Sequence, residues 1–407
     1  MTTQSTAGPR GYTALLRPAD HRVLVTAGLL ARVPLAIVGF SVLFFVQATT
    51  GSFASAGVAS GVVIAANAAS APLYGRLADR RGQRALLLTA AIGHPVAIAA
   101  LIVVGTTGGG LLAVCGCVLA VGATIVPVGA FLRARWTSIL PSDDQLHVAY
   151  SLEAISDELV WVFGPAVAAL VAGTISPSAG LVLSGVVGTV GCLWLRAGRD
   201  APLAAAPAEG ERRHVFAPWR SRRVVALLVS GAFVGFVFGV NDVTVVAWAT
   251  DAGVPQIAGL VLTAYSIGSV TGGFLMGTIP ARIPPYRLLI GASALLGIFW
   301  SVLALAPDVA WLFPLGLFAG ATITPFTIST NRVLQAEVAP SVLTEGLAWV
   351  SAFVVGSMAV GSLVGGVVND GSAVLSGFQV VALAAPLPFV VVGLVAVLPR
   401  ARARRVA

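Results

Sequence analysis

The sequence predicts an all-α membrane protein in which twelve transmembrane helices form two six-helix bundles related by pseudo-two-fold symmetry. The composition points to this fold class, because hydrophobic residues make up 57% of the chain and charged residues only 10%. A soluble globular domain carries about 25% charged residues. A series of long apolar stretches and a repeat between the two halves of the chain point the same way.

Twelve stretches of the chain are long and apolar enough to span a bilayer, which takes about 20 predominantly apolar residues. They lie at 22–47, 53–75, 85–105, 109–133, 147–172, 178–196, 223–248, 256–278, 286–306, 309–332, 341–368 and 376–398. The longest break between them is rich in Ala, Pro and Arg, which is typical of a linker. The predicted organisation is therefore a tail at 1–20, a bundle at 21–196, a linker at 197–222, a bundle at 223–399 and a basic tail at 400–407.

The distribution of arginine predicts the orientation of the chain. All 24 basic residues are Arg, and all except Arg32 fall in segments on one side of the predicted membrane or at the helix ends on that side. The connections on the other side contain no Arg, and their only charged residues are Asp251, Asp308 and Asp370. By the positive-inside rule, both termini lie in the cytoplasm and the protein lies in the cell (inner) membrane. Because the arginines cluster in this way, we attribute the net charge of +8 to orientation in a lipid bilayer and not to binding of a nucleic acid.

A repeat relates the two halves of the chain. The hexapeptide GATIVP at 122–127 matches GATITP at 320–325 in five of six positions, each in the fourth span of its half. In the fifth and eleventh spans, Glu153 aligns with Glu345, Gly164 with Gly356 and Gly173 with Gly365. We expect a parallel repeat, because six helices return the chain to the side on which it started.

A decamer between the second and third spans carries the strongest motif. Residues 75–84 read GRLADRRGQR, which resembles the signature G-x-L-(A/G)-D-R-x-G-R-(R/K) of the major facilitator superfamily, with Gln83 in place of the usual Arg. We expect Gly75 to allow close helix approach and Gly82 to allow a tight turn. The resemblance implies that Asp79 braces the second span against the eleventh, with the neighbouring Arg80 and Arg84 part of the same motif.

Ionisable side chains at membrane depth are costly, so each is a candidate functional residue. Arg32 lies about 15 Å into the first span, where the resemblance implies a cavity-lining helix. It is either a substrate or coupling residue or a counter-ion for a carboxylate of the fifth span, and the two roles are compatible. The fifth span carries Glu153, Asp157 and Glu158, and the seventh carries Asp242. The three deepest of these carboxylates, Asp157, Glu158 and Asp242, face one deep cation, so at least one of them is expected to take up a proton near neutral pH.

Asp157 and Asp242 are the first candidates for this proton exchange, and Glu158 is the next. Glu153 and Glu345 lie nearer the cytoplasmic ends, where the favoured interpretation is gating or structural pairing with Arg133, Arg135 or Arg332. Four further residues could line a cavity or make interhelical hydrogen bonds. These are Asn67, Asn241, Trp161 and Tyr265.

Together these features predict a secondary active transporter that works by alternating access as a monomer, without a cofactor and with the proton gradient as its energy source. Gly164-Pro165 resembles part of a glycine-rich element of antiporters in the superfamily, although Val160, Ala168 and Ala169 replace its other glycines, and the resemblance tilts toward export. The helices that it implies line the cavity are mostly apolar with few fixed charges, which favours a drug or sugar efflux-like branch and a small, partly hydrophobic compound. Proton-coupled uptake of a sugar or small organic acid is the alternative. A non-transporting sensor or a membrane-embedded enzyme is a further class, but the sequence shows no cluster of nucleophile, base and metal ligands that an enzyme would need.

Overall fold

The computed structural model describes residues 9–198, 221–278, 283–338, 343–372 and 376–397, and within them the regular structure is helical throughout. Twelve helical spans in these residues are long and apolar enough to cross a membrane, as the sequence predicts. Most of the linker and the whole of the basic C-terminal tail lie outside the described residues. The described chain separates into two compact units.

The first unit contains eight helices, of which the fourth span supplies two. Their bounds are α1 Pro9–Leu15, α2 Ala19–Thr50, α3 Phe53–Arg81, α4 Gln83–Thr106, α5 Leu111–Ala123, α6 Val128–Ile139, α7 Asp143–Thr174 and α8 Ala179–Ala197. Helix α2 ends at Gly51, whose φ of 69° is left-handed and suits glycine. Helix α3 begins directly after Ser52, whose side chain accepts a hydrogen bond from the Ser55 backbone N–H.

Helix α1 was not predicted, because the sequence indicates only a short polar tail before the first span. Its last residue, Leu15, is buried with Leu24, Leu132 and Trp136 in the apolar core of the first unit. Close contacts between small residues hold α2 against its neighbours. A Cβ on Gly191 of α8 would overlap the backbone of Ala31. Such contacts fix which face of α2 each neighbouring helix meets.

The second unit contains the rest of the described helices, together with two 3-10 turns at Leu303–Leu305 and Val309–Trp311 and a π turn at Val368–Ser372. The helices are α9 Arg222–Asp251, α10 Ile257–Thr278, α11 Pro285–Val302, α12 Leu312–Gly320, α13 Ile323–Glu337, α14 Leu343–Val367, α15 Gly377–Ala384 and α16 Leu387–Val397. Residues Ala249–Leu260, which join α9 to α10, group with the first unit.

The fourth span of each half is interrupted, whereas the sequence was interpreted as one continuous helix at 109–133 and another at 309–332. Helix α5 ends at Ala123 and α6 begins at Val128, within the GATIVP hexapeptide. Helix α12 ends at Gly320 and α13 begins at Ile323, within GATITP. The repeated hexapeptide therefore marks a helix break in both halves.

Side chains of neighbouring helices satisfy carbonyl groups beside each break, as a membrane interior requires. In the first half, the Tyr74 hydroxyl donates to the Ala123 carbonyl at 2.9 Å. Asn67 Nδ2 donates to the Ile125 carbonyl at 3.3 Å, which is the interhelical hydrogen bond expected as one role for this residue. In the second half, Trp300 Nε1 donates to the Ala319 carbonyl at 3.0 Å.

Candidate functional site

Four charged side chains from three helices meet in the first unit, and we call them the charged cluster. They are Arg32 of α2, Arg133 of α6, and Glu153 and Asp157 of α7. Arg32 Nη2 donates to Glu153 Oε2, and Arg32 Nε lies 2.8 Å from Asp157 Oδ1. Arg133 Nη2 donates to Asp157 Oδ2 at 3.2 Å. Because Glu153 and Asp157 are four residues apart on one helix, both carboxylates can reach the same guanidinium.

Burial divides the charged cluster into an inner and an outer pair. Arg32 is 3% exposed and Glu153 only 1%, whereas Asp157 is 37% and Arg133 46% exposed. The four charges sum to zero, which offsets much of the cost of placing them at membrane depth. The inner pair is thus a buried counter-ion pair, and the outer pair is the part of the cluster that solvent or a ligand can reach.

Trp136 of α6 completes the inner pair and was missed in the sequence. Its Nε1 donates to Glu153 Oε1 at 2.7 Å, and its side chain is fully buried. Both oxygens of Glu153 therefore have a donor. The available signal was its position three residues after Arg133, which places both side chains on one side of α6.

Arg133, Arg135 and Arg332 were wrong as partners of Glu153. Arg32, the other candidate counter-ion for a carboxylate of the fifth span, contacts Glu153 instead. Arg133 binds Asp157, and Arg135 points to the opposite side of α6. Arg332 lies half-buried in α13 of the second unit. Asp157 has two cationic partners and not one, since Arg32 and Arg133 both contact it.

A second buried arginine forms a separate network at the ends of α4, α6 and α8. Arg135 is fully buried, and its Nε donates to Gln83 Oε1 at 2.8 Å while Nη1 donates to the Leu195 carbonyl at 2.7 Å. Gln83 Nε2 in turn donates to the Phe131 carbonyl at 3.1 Å. Gln83, which stands where the superfamily motif usually has Arg, therefore offers a neutral acceptor to the buried cation Arg135.

The remaining motif residues are only partly described. Gly82 has a φ of 79° and separates α3 from α4, as the predicted tight turn requires. Close approach at Gly75 is not found: a Cβ there would meet no atom within 4 Å among the described residues. Arg80 is exposed, and Arg84 Nη2 donates to the Gly198 carbonyl at 3.1 Å. The side chains of Asp79, Glu158 and Glu345 lie outside the described residues, so their predicted roles stay predictions.

Polar candidates of the second unit lie on α9 and α10. The Tyr265 hydroxyl donates to Asn241 Oδ1 at 3.2 Å, and both side chains are buried. Asp242 follows Asn241 and is half-buried. An ion pair between Arg223 of α9 and Glu337 of α13 was not singled out in the sequence. Asn241 and Tyr265 thus make the interhelical bond that was one of their two expected roles.

Comparison with known proteins identifies the family. A sequence profile of the Major Facilitator Superfamily matches residues 24–255, more than half of the chain, and the chain belongs to this superfamily. It is accordingly a membrane transporter and not an enzyme. No curated protein matches the chain in a sequence comparison.

Solved structures of three transporters share the fold at low sequence identity. A mutant of the nucleoside transporter NupG is 15% identical, with 92% of this chain and 98% of that chain covered and a TM-score of 0.73. A bacterial homologue of the iron transporter ferroportin, in its inward-facing state, is 14% identical over 93% and 97% of the two chains, with a TM-score of 0.71. An auto-inhibited POT family peptide transporter is 12% identical over 93% and 97%, with a TM-score of 0.68. These likenesses concern the fold alone.

Proposed function

We propose that this transporter exports a small, partly hydrophobic compound in exchange for protons, and that Asp157 is the carboxylate that carries the proton. The observation that supports this role is the exposure of Asp157, whose side chain is 37% exposed beside a Glu153 that is only 1% exposed. A proton can reach Asp157 directly, whereas Glu153 is enclosed by Arg32 and Trp136.

Protonation of Asp157 changes the charged cluster from neutral to a net charge of +1. The ion pair with Arg133 is then lost, and the Arg133 guanidinium turns to other partners. A substrate that hydrogen bonds to ionised Asp157 is released by the same event, because the proton occupies the acceptor. Competition of this kind couples proton entry to substrate exit, since each ligand binds a different state of the cluster.

A partly hydrophobic substrate suits the apolar surroundings of the cluster. Trp161 lies one turn beyond Asp157 on the same side of α7 and is 44% exposed. Uptake of an organic acid is less well supported, because the deep cation expected to bind its carboxylate, Arg32, already contacts two carboxylates. From the arginine distribution we further propose that the protein lies in the cytoplasmic membrane with both termini inside. We also propose that it works as a monomer.

The test is transport into proteoliposomes loaded at acidic pH, with a panel of radiolabelled amphipathic compounds of neutral, cationic and anionic character. An acidic lumen should drive accumulation of the substrate by the parent protein. Asp157→Asn should lose about tenfold or more of this accumulation, because Asn takes up no proton. Counterflow exchange of substrate at equal pH should weaken as well, because the neutral Asn resembles the protonated carboxyl group that releases the substrate. The matched control is Asp251→Asn, an exposed carboxylate at the end of α9. Full gradient-driven accumulation by Asp157→Asn would refute the proposal.

A further inference from the structure

A cavity of about 330 Å³, which we call the polar cavity, lies in the first unit where α2 begins and α6 and α8 end. It is therefore at the membrane surface, at one end of the spans formed by α2 and α8. Asp20 and His21 supply its polar side chains, and Leu24, Ala27 and Trp194 are part of its apolar lining. Cavities of about 300 Å³ and above commonly hold small molecules or their head groups.

The polar side chains of this cavity accept hydrogen bonds. His21 Nδ1 lies 2.7 Å from the Leu15 carbonyl, which can only accept, so Nδ1 carries the proton and Nε2 of the neutral ring is an acceptor. An edge-to-face contact with Trp136, with 5.2 Å between ring centroids, holds the ring in place. Among the described residues no arginine pairs with the Asp20 carboxylate: Arg22 Nη1 donates instead to two carbonyls that precede α2.

These acceptors select a cation that carries N–H groups. The full negative charge of Asp20 exceeds the charge of about +0.5 at the N-terminus of α2. A primary ammonium group donates three hydrogen bonds, enough for the carboxylate and for His21 Nε2 together. A quaternary ammonium has the same charge but no N–H, so it satisfies neither acceptor.

The polar cavity adjoins the lipid-facing side of α8. Trp194 ends a stripe of large apolar residues at four-residue spacing, which lie on one side of the helix. The stripe is Val182, Val186, Val190 and Trp194, each between 42% and 57% exposed. Tryptophan is enriched where a membrane helix meets the head groups. A ligand that reaches the cavity along this side of α8 comes from the bilayer.

A second cavity, of about 400 Å³, lies deeper in the membrane between α2, α7 and α8, and only apolar residues line it. We call it the apolar cavity. Val187, which lines it, comes seven residues before Trp194, so the two lie on one side of α8 about 10 Å apart. On α2, Leu29 lines the apolar cavity two residues after Ala27 of the polar cavity. A polar site at the membrane surface and an apolar one at bilayer depth follow the order of head group and acyl chain in a phospholipid.

We propose that the two cavities form a binding site for a phospholipid whose head group ends in a primary ammonium group. The ammonium donates to Asp20 and to His21 Nε2, and an acyl chain lies in the apolar cavity. The phosphate faces Arg22 and Arg196, exposed residues that neighbour the lining of the polar cavity in the chain. None of the lining residues belongs to the charged cluster, and the proposal does not rest on the transport function proposed above.

The experiment measures lipid binding to the purified, delipidated protein in detergent micelles by native mass spectrometry. Dissociation constants are determined for the first bound molecule of dioleoyl phosphatidylethanolamine, its N,N-dimethyl derivative and dioleoyl phosphatidylcholine, which differ only in the number of N–H groups. Soluble phosphoethanolamine is added as a competitor, because it carries the same head group without acyl chains. The parent protein should bind the ethanolamine lipid about tenfold more tightly than the choline lipid, as loss of hydrogen bonds to a charged group predicts, with the dimethyl lipid between them.

Variants locate the site through this preference, which is a ratio measured on one folded protein and so is insensitive to a loss of stability. Asp20→Asn and His21→Phe should each reduce the preference to about twofold or less. Asp251→Asn, an exposed carboxylate at the end of α9, is the matched control and should keep it. Val187→Trp fills the apolar cavity and should weaken binding of all three lipids by a similar factor, with the preference unchanged.

Equal affinity of the parent protein for the three lipids, or a preference for choline, would overturn the proposal. So would a preference that both Asp20→Asn and His21→Phe leave unchanged, because the ammonium would then bind elsewhere. Displacement of the ethanolamine lipid by soluble phosphoethanolamine, or unchanged lipid affinity in Val187→Trp, would assign the polar cavity to a soluble amine and overturn the lipid site.

Discussion

Removing Arg32 should destabilise the protein more than removing its carboxylate partner Glu153. In Arg32→Met, Glu153 remains 1% exposed with only the Trp136 hydrogen bond to compensate its charge. Breaking a buried ion pair in this way costs about 3–5 kcal/mol. In Glu153→Gln, the amide oxygen can still accept from Trp136, and Arg32 keeps Asp157 at 2.8 Å. Glu153→Gln should then lower the free energy of unfolding by about 1–3 kcal/mol, the cost of losing one hydrogen bond to a charged group.

The double variant Arg32→Met/Glu153→Met tests whether Arg32 and Glu153 stabilise the protein as a pair or independently of each other. Replacing both partners of a buried pair with apolar side chains is often close to neutral. The double variant should therefore be more stable than Arg32→Met alone. With Glu153→Met as the second single variant, the coupling free energy should be about 2–3 kcal/mol. The assay is unfolding of the purified protein in mixed micelles by titration with a denaturing detergent, with free energies taken at a common reference composition. Additive losses, or a larger loss for Glu153→Gln than for Arg32→Met, would refute the interpretation of a structural counter-ion pair.

Two further substitutions test packing away from the charged cluster. Gln83→Arg should lower the free energy of unfolding by about 1–3 kcal/mol, because it sets a second guanidinium against buried Arg135; unfolding unchanged from the parent would contradict this. Gly239→Ala should lower the thermal midpoint, since its Cβ would overlap the backbone of α14 at Met358, and overpacking costs about 1–3 kcal/mol. Gly291→Ala, where a Cβ meets no described atom within 4 Å, is the control and should unfold like the parent.

Composition and hydropathy were enough to predict the twelve spans but not the breaks within them. A spanning helix is recognised from apolar content averaged over about 20 residues, and a short interruption hardly changes that average. The GATIVP hexapeptide was used as evidence of a repeat, although Pro127 within it also lacks a backbone N–H and signals a possible helix break. The hexapeptide recurs in the second half, where the fourth span is interrupted as well, and apolar periodicity alone did not reveal this.

The charged cluster could be predicted in part from positions along single helices. A spacing of four residues puts Glu153 and Asp157 on one side of α7, and depth in the membrane made Arg32 a candidate counter-ion. The partners depend on which face of α2 meets α7, and contacts between small residues decide this: a Cβ on Gly164 of α7 would overlap Ala36 of α2. One turn before Ala36 lies Arg32, at the level of the two carboxylates. No single-helix pattern encodes that rotation, so Arg133 was assigned to Glu153 instead of Asp157.

Competition of substrate and proton for Asp157 can be measured as the release of a proton when the substrate binds. The reconstituted protein is placed in weakly buffered solution, and a substrate found in the transport screen is added while the pH is recorded. The parent should release up to about one proton per bound substrate, and Asp157→Asn should release none, because linked binding is reciprocal. The same release from Asp157→Asn as from the parent, or uptake of protons by the parent, would contradict it.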